Sequence, residues 1–168
     1  MTQETISLTP ITGWKDRAYV FKRMLEEGRA RIVQYALPEP SLDVFLEGTA
    51  PEKAWLCILH TAERLACAAW ITNFTGKTAF AHFVIFRGFE PVSRTLCHLV
   101  CQWAFSGGLA CLMGLIPAVN RAAIATMRAS GWQEIFRIPQ ACFVHRLGCH
   151  VDGVLCHFTP KLLSEAMQ

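Results

Sequence analysis

Six cysteine and histidine residues that could bind a metal ion fall within a short stretch near the end of the chain. They are Cys142, His145, Cys149, His150, Cys156 and His157. Only the first two have a spacing typical of zinc ligands, and the other four form two adjacent Cys-His pairs. Adjacent residues of a strand point to opposite faces, so neither pair can easily chelate one ion. Buried cysteines commonly act as small hydrophobic residues, and we predict no metal site.

His82 is the residue best suited to acid–base chemistry. It lies inside residues 78–86, TAFAHFVIF, the most strand-like stretch of the sequence. An imidazole titrates near neutral pH, which suits a general base that takes a proton from an ammonium group. A histidine with a purely structural place on the strand is the alternative interpretation. His82 is therefore a candidate general base, with both interpretations open.

Residues 109–132 predict a strand, a short loop, a helix and the start of a second strand. A short apolar run over 110–116 ends at Pro117, as expected of a strand that is buried on both faces. Asn120 stands where a helix N-cap belongs, because its side chain can accept an unpaired backbone N–H. Gly131 supplies the left-handed residue that ends many helices, and an aromatic residue starts the next apolar run.

The spacing of four residues in this segment resembles that of the GNAT superfamily, the acyl-CoA-dependent N-acetyltransferases. The superfamily pattern is Asn, two residues, Ala, and later Gly followed by an aromatic residue. Here the pattern is carried by Asn120, Ala123, Gly131 and Trp132. The resemblance implies an N-acyltransferase that uses acetyl-CoA.

The order of predicted elements along the rest of the chain is similar to that of the same superfamily. Strands are expected over 5–9, 54–60, 65–72, 78–86, 110–116, 133–138 and 154–158. Helices are expected over 14–27, 92–105 and after Asn120, with one helical turn over 41–46. Pro10 and Pro139 are expected to end strands, and residues 151–153 to form a turn. The resemblance implies one α+β domain over residues 1–168, an α/β sandwich-like fold whose mixed, twisted sheet of about seven strands splays between the fourth and fifth.

The resemblance also implies where acetyl-CoA would lie, in the V between the fourth and fifth strands. The fourth strand would present backbone groups to the pantetheine. The basic loop after it and the following helix start would hold the pyrophosphate, since consecutive N–H groups and a helix dipole bind phosphate. The implied cofactor-binding residues are Val84, Ile85, Phe86, Arg87, Gly88, Ser93, Arg94 and Asn120.

The sequence departs from the superfamily pattern in two places. Glu90 and Val92 stand where small residues are usual in the loop, and Pro91 removes one N–H donor. A carboxylate there would repel a pyrophosphate, although Glu is favourable near a helix start. Met127 stands where many members have a tyrosine that protonates the leaving thiolate. The two tyrosines of the chain both lie in its N-terminal region.

The composition of the chain indicates which cellular compartment and which partners to expect. The chain is 52% hydrophobic and 17% charged, and its net charge of +3 is too small to indicate a nucleic-acid partner. No apolar run approaches the roughly 20 residues that span a bilayer, and the N-terminus does not resemble a secretory signal. We therefore predict that the eight cysteines lie in the reducing cytoplasm.

Two functions are consistent with these residues. In the first, a substrate amine attacks acetyl-CoA directly, and the acceptor is a small-molecule or peptide amine that the sequence does not define. In the second, the fold is a catalytically inactive binding or assembly module without cofactor. Its five tryptophans and eleven phenylalanines would then serve a partner surface or a homodimer.

Overall fold

Seven strands and six α-helices make up residues 5–168, the part of the chain that the computed structural model describes. The strands are β1 (Ser7–Ile11), β2 (Trp55–His60), β3 (Leu65–Thr75), β4 (Thr78–Ile85), β5 (Cys111–Pro117), β6 (Gln133–Val144) and β7 (Cys149–Phe158). The helices are α1 (Trp14–Glu26), α2 (Ala30–Val33), α3 (Leu42–Gly48), α4 (Ser93–Ser106), α5 (Arg121–Ala129) and α6 (Pro160–Ala166).

All seven strands form one mixed sheet in the order β1-β2-β3-β4-β5-β7-β6. Neighbouring strands are antiparallel except β4 and β5, which are parallel and are joined through α4. β4 and β5 pair only through residues 78–80 and 111–113, and beyond these residues they separate. The predicted mixed sheet and its splay between the fourth and fifth strands are confirmed.

The core lies on both faces of the sheet. β3 is buried on both faces and carries small residues at 66–69, each of them 0% exposed. Small side chains there let helices approach from either side. On one face α1 and α3 contribute Phe21 and Phe45, and on the other α4 contributes Leu96 and Val100. None of the helices in residues 5–168 is long and apolar enough to cross a membrane.

The strand-loop-helix unit around α5 forms as the local sequence predicts. β5 ends at Pro117, and the Asn120 Oδ1 atom accepts the N–H of Ala123 at 3.2 Å. Gly131 follows the helix with a φ of 85°. The predicted strand end, N-cap and glycine stop are all confirmed.

We expect Gly131→Ala to lower the free energy of unfolding by about 2–3 kcal/mol. An added Cβ would lie 2.8 Å from the Cβ of Ala166 in α6, and a side chain at positive φ is strained as well. Gly148→Ala is the matched control, since Gly148 also has a positive φ but has nothing within 4 Å of an added Cβ. Urea denaturation of both variants separates backbone strain from steric conflict. Equal losses would mean that the contact with α6 costs nothing.

The predictions that Pro10 and Pro139 end strands are wrong. Pro10 lies within β1 and pairs with Cys57, and Pro139 lies within β6. Both strands are edges of the sheet, where a missing N–H leaves no interior hydrogen bond unmade. At Pro139 the register with β7 also shifts, and Gln140 adopts a φ of 51°, as in a bulge.

The C-terminal region contains more regular structure than predicted. β7 begins at Cys149 instead of residue 154, so residues 151–153 are strand and not a turn. Asp152 instead accepts the N–H of Gln140 at 3.1 Å, which supports the bulge on the neighbouring strand. α6 was not predicted, although Thr159 caps it and Pro160 occupies its first turn.

Candidate functional site

A cleft opens in the sheet where β4 and β5 separate. Residues 81–85 of β4 and 114–117 of β5 form its walls, and its volume is about 300 Å³. Ala123 and Met127 of α5 close one side. Within residues 5–168, these strand halves have no pairing partner across the cleft. An extended ligand could therefore hydrogen-bond their peptide groups as a neighbouring strand would.

A second cavity lies on the face of the sheet that carries α3. Its volume is about 700 Å³, and residues of α3 and the outer half of β3 form its walls. Val33, Trp70 and His82 border both cavities. A ligand in the β4/β5 cleft and a ligand in the second cavity would therefore meet beside His82.

His82 is held at this junction by two residues of β3. Trp70, its partner in the sheet register, stacks on the imidazole with ring centroids 5.5 Å apart and an angle of 10°. Thr72 Oγ1 lies 2.9 Å from His82 Nε2. The described residues offer no hydrogen-bond partner to Nδ1. The predicted candidate base is therefore fixed in orientation and has a free ring nitrogen.

The protonation of His82 follows from its position in the concave wall. The His82 side chain is exposed in the cavities, with Trp70 stacked against one face of its ring. Desolvation by the protein atoms around it lowers the pKa of His82 to about 4. The imidazole is thus neutral at physiological pH and can accept a proton, although it is a weaker base than an unperturbed histidine.

Glu90 lies in the loop after β4, where the sequence resemblance implies the pyrophosphate site. Its Oε2 accepts the N–H of Gly88 at 2.7 Å, and its Oε1 pairs with Arg29 Nη2 at 2.6 Å. The pKa of Glu90 is lowered, first by its own backbone N–H and then by the N–H of Gly88 and by Arg29. The carboxylate is therefore bound by a backbone N–H and a guanidinium, the kinds of group that also bind phosphate. Arg29 could not be identified from the sequence, because it lies 61 residues away.

Two further residues hold the same loop in place. Arg64, from the β2–β3 turn, donates to the carbonyl of Arg87 at 2.7 Å and stacks over Phe89 at 4.9 Å. Glu27, just after α1, accepts the N–H of Arg87 at 2.7 Å. The loop is thus tied to two other parts of the chain, and Arg64 is a second cation in contact with it, in addition to Arg29.

The remaining predicted cofactor-binding residues are only partly brought together. Val84, Ile85 and Asn120 line the cleft, and Ser93 begins α4. Phe86 is 1% exposed and donates its N–H to Ala66 at 3.0 Å, so that N–H is already used. The Arg94 guanidinium donates to the carbonyl of Ala166 in α6.

The structure brings Tyr35 to the cleft that Met127 lines. The Tyr35 hydroxyl donates to Cys142 Sγ at 3.7 Å, and the Tyr35 carbonyl accepts the N–H of His145 at 2.8 Å. Burial raises the pKa of Tyr35 to about 12. Tyr35 thus stays protonated, but its one O–H is already donated to Cys142 and would have to leave that sulfur before it could donate into the cleft. It is a poor acid toward a thiolate, because a free thiol has a pKa near 8.5.

The C-terminal cysteines and histidines do not converge. Cys142 is buried while Cys149 is exposed, and all eight cysteines are free thiols. Within residues 5–168, no group of three or more His, Cys, Asp or Glu side chains could hold a metal ion.

We expect Asn120→Ala to lower the free energy of unfolding by about 1 kcal/mol, because α5 loses its cap. Asn120→Asp keeps a capping oxygen and should unfold close to the wild type. If Asn120 also contacts acetyl-CoA, both variants should bind it more weakly in calorimetric titration. If only the alanine variant binds acetyl-CoA more weakly, Asn120 acts as a helix cap and does not contact the cofactor.

Comparison with solved structures places this architecture among acetyltransferases. The spermidine N-acetyltransferase of Vibrio cholerae, in complex with CoA and spermine, aligns with a TM-score of 0.76 at 13% identity over 95% of this chain and 98% of that one. Mycobacterium smegmatis RimJ, in complex with CoA-disulfide, aligns with a TM-score of 0.74 at 13% identity, over 96% of this chain and 87% of that one. The ribosomal-protein-S5-alanine acetyltransferase of Vibrio fischeri aligns with a TM-score of 0.71 at 12% identity, over 95% of each chain.

These similarities establish the fold. The chain has the fold of the GNAT N-acetyltransferases, as its sequence resemblance implied. No protein-family model matches the sequence, and no curated protein matches it either.

Proposed function

We propose that this protein is an N-acyltransferase that transfers an acetyl group from acetyl-CoA to an amine. The observation that carries the proposal is the cleft between the separated halves of β4 and β5, which meets a second cavity at His82. Similar structures that contain CoA support the choice of cofactor. The second cavity would receive the amine.

The residues of the cleft fit the pantetheine arm of acetyl-CoA better than the loop fits its pyrophosphate. Val84 and Ile85 would offer backbone groups along the cleft, and Asn120 would lie at its far wall. Arg87, Gly88, Ser93 and Arg94 remain the proposed pyrophosphate residues. Gly88 can contribute its N–H only after Glu90 has moved away. Arg29 would then be free to pair with the phosphates as well.

Acetyl-CoA would supply an acyl thioester that an amine can attack directly. His82 would take the proton that the amine nitrogen loses as the new C–N bond forms, since its Nδ1 is free. Trp70 and Thr72 would hold the imidazole at the meeting point of the two cavities. The sulfur would depart as a thiolate with the electrons of the C–S bond, and Tyr35 would donate to it only after its O–H has left Cys142.

Binding of acetyl-CoA to the purified protein tests the proposal. At 100 times its dissociation constant, a ligand that binds only the native state raises the free energy of unfolding by about 2.7 kcal/mol. Calorimetric titration and release of free thiol with a panel of amines complete the test. If acetyl-CoA does not bind and no amine causes release of thiol, the proposal is overturned.

We expect Glu90→Ala to bind acetyl-CoA at least about fivefold more tightly than the wild type. The substitution removes a negative charge from the phosphate position and frees both the Gly88 N–H and Arg29. Glu39→Ala is the matched control, because it removes an exposed carboxylate that is paired with Arg31 elsewhere on the surface. Weaker binding by Glu90→Ala would instead show that this carboxylate organises the loop for its ligand.

The alternative of an inactive binding module rests on the Glu90 contact and on Met127, and the three acetyltransferases named above do not support it. If neither the wild type nor Glu90→Ala binds acetyl-CoA, that alternative is favoured. We also propose a cytoplasmic location, because eight free thiols suit a reducing compartment.

A further inference from the structure

The cavity beside His82 has a size suited to a small molecule. Its volume of about 700 Å³ falls within the range of about 300–1,000 Å³ found for small-molecule sites. It is open to solvent, and His82 forms part of its wall. The following inference rests on the proposed function, in which this cavity holds the acceptor.

One carboxylate in the wall of the cavity has no ion-pair partner among the described residues. Glu52 and Lys53 are the only acidic or basic side chains in its wall apart from the neutral His82. The Lys53 ammonium is paired with Glu47 at 3.2 Å. Among the described residues, Glu52 has no ion-pair partner. The wall therefore offers one free carboxylate, enough for one positive charge.

The floor of the cavity is aromatic. Phe45 and Trp70 are 4% and 6% exposed and meet edge to face, with ring centroids 5.5 Å apart. Trp70 then stacks on His82, so the aromatic surface leads directly to the candidate base. Phe74 forms a more exposed part of the wall. Phe74 and the small exposed parts of Phe45 and Trp70 form a surface that suits an apolar body.

We infer that the acceptor is a small primary monoamine with an aromatic or aliphatic body. Its apolar part would lie on Phe45, Trp70 and Phe74, with its amine at His82. Glu52 at the rim would attract the ammonium form before deprotonation. A polyamine carries several separated charges, and the single unpaired carboxylate of Glu52 would leave most of them without a partner in this cavity. Specificity of this kind arises from missing partners as much as from favourable ones.

The test compares 2-phenylethylamine, spermidine and a short peptide with a free N-terminus. Thiol release is measured with each amine, and binding to the acetyl-CoA-free protein is measured by Trp fluorescence and calorimetry. We expect kcat/KM for 2-phenylethylamine to exceed that for spermidine by at least about tenfold, with binding in the same order. Equal or better use of spermidine, or turnover of the peptide alone, would overturn the inference.

Two variants sharpen the result. Glu52→Gln should raise KM for 2-phenylethylamine about two- to fivefold with little change in kcat, as expected for one exposed ion pair. Glu39→Gln, outside the cavity, should change neither. Because amine binding is measured without acetyl-CoA, the inference can fail while acetyl-CoA still binds. A different result overturns the proposed function: acetyl-CoA does not bind, and no thiol is released with any amine.

Discussion

Replacing His82 by alanine is expected to lower kcat/KM for amine acetylation by about 10²–10⁴-fold, the usual contribution of a general base. The affinity for acetyl-CoA should stay within about twofold, because backbone groups and the loop hold the cofactor in the proposed site. Thiol release under saturating acetyl-CoA measures the first quantity, and calorimetric titration measures the second. Undiminished turnover would remove His82 from the mechanism and leave it a structural role.

Thr72→Val is the matched control for orientation. It deletes the hydroxyl that lies 2.9 Å from His82 Nε2 but keeps the imidazole and the shape of the side chain. We expect a smaller loss than for His82→Ala, since the Trp70 stack still holds the ring. A loss as large as that of His82→Ala would mean that the Thr72 hydroxyl itself takes part in proton transfer.

The pH profile provides an independent check on the same residue. Desolvation lowers the pKa of His82 to about 4, so the base stays neutral as the pH falls from 7 toward 5. After correction for protonation of the amine itself, the acid limb of kcat/KM should lie nearer pH 4 than pH 6.5. A limb near 6.5 would indicate an imidazole in contact with bulk water or a different base.

Phe158→Ala is expected to lower the free energy of unfolding by about 3–5 kcal/mol, the usual result of deleting a buried aromatic ring. Phe158 is 0% exposed, and it stacks on Trp132 with ring centroids 5.3 Å apart and on His98 at 6.1 Å. It also pairs with Leu112 across the β5–β7 ladder. A loss of this size is a large part of the total stability of an ordinary domain.

Phe136→Ala on the neighbouring strand β6 is the control for this prediction. The side chain is 61% exposed, so its removal should change the free energy of unfolding by no more than about 0.5 kcal/mol. Urea denaturation, monitored by Trp fluorescence and by circular dichroism, measures both variants. Similar losses for the two residues would show that Phe158 does not anchor the core at the base of β5.

Glu90 illustrates what could and could not be predicted of the site. Its position in the loop is visible in the sequence, as is the conflict between a carboxylate and a pyrophosphate. Its bond to Gly88 is local to the loop, but its ion pair with Arg29 depends on how the start of α2 packs beside the loop. The same holds for Tyr35, which reaches the cleft and the β6 residue Cys142, 107 residues away.

The two prolines show the same limit for the fold. A proline removes one hydrogen-bond donor wherever it stands, and this much is local. Whether the absent N–H costs a hydrogen bond of the sheet depends on the neighbouring strand. Pro10 and Pro139 both lie on edge strands. No property of residues 10 or 139 alone could indicate an edge. Tertiary pairing therefore decided that β1 and β6 continue through their prolines.

The sequence alone determined the features that arise within a few residues of each other. Asn120 caps α5 through an amide three positions on, Gly131 ends it, and Pro117 stops β5 because of their own backbone chemistry. The tertiary structure decided which distant groups meet: Trp70 on His82, Arg29 on Glu90, and the second cavity on the cleft. Local propensities act through neighbours along the chain, whereas these contacts depend on the packing of a sheet whose strands separate at β4 and β5.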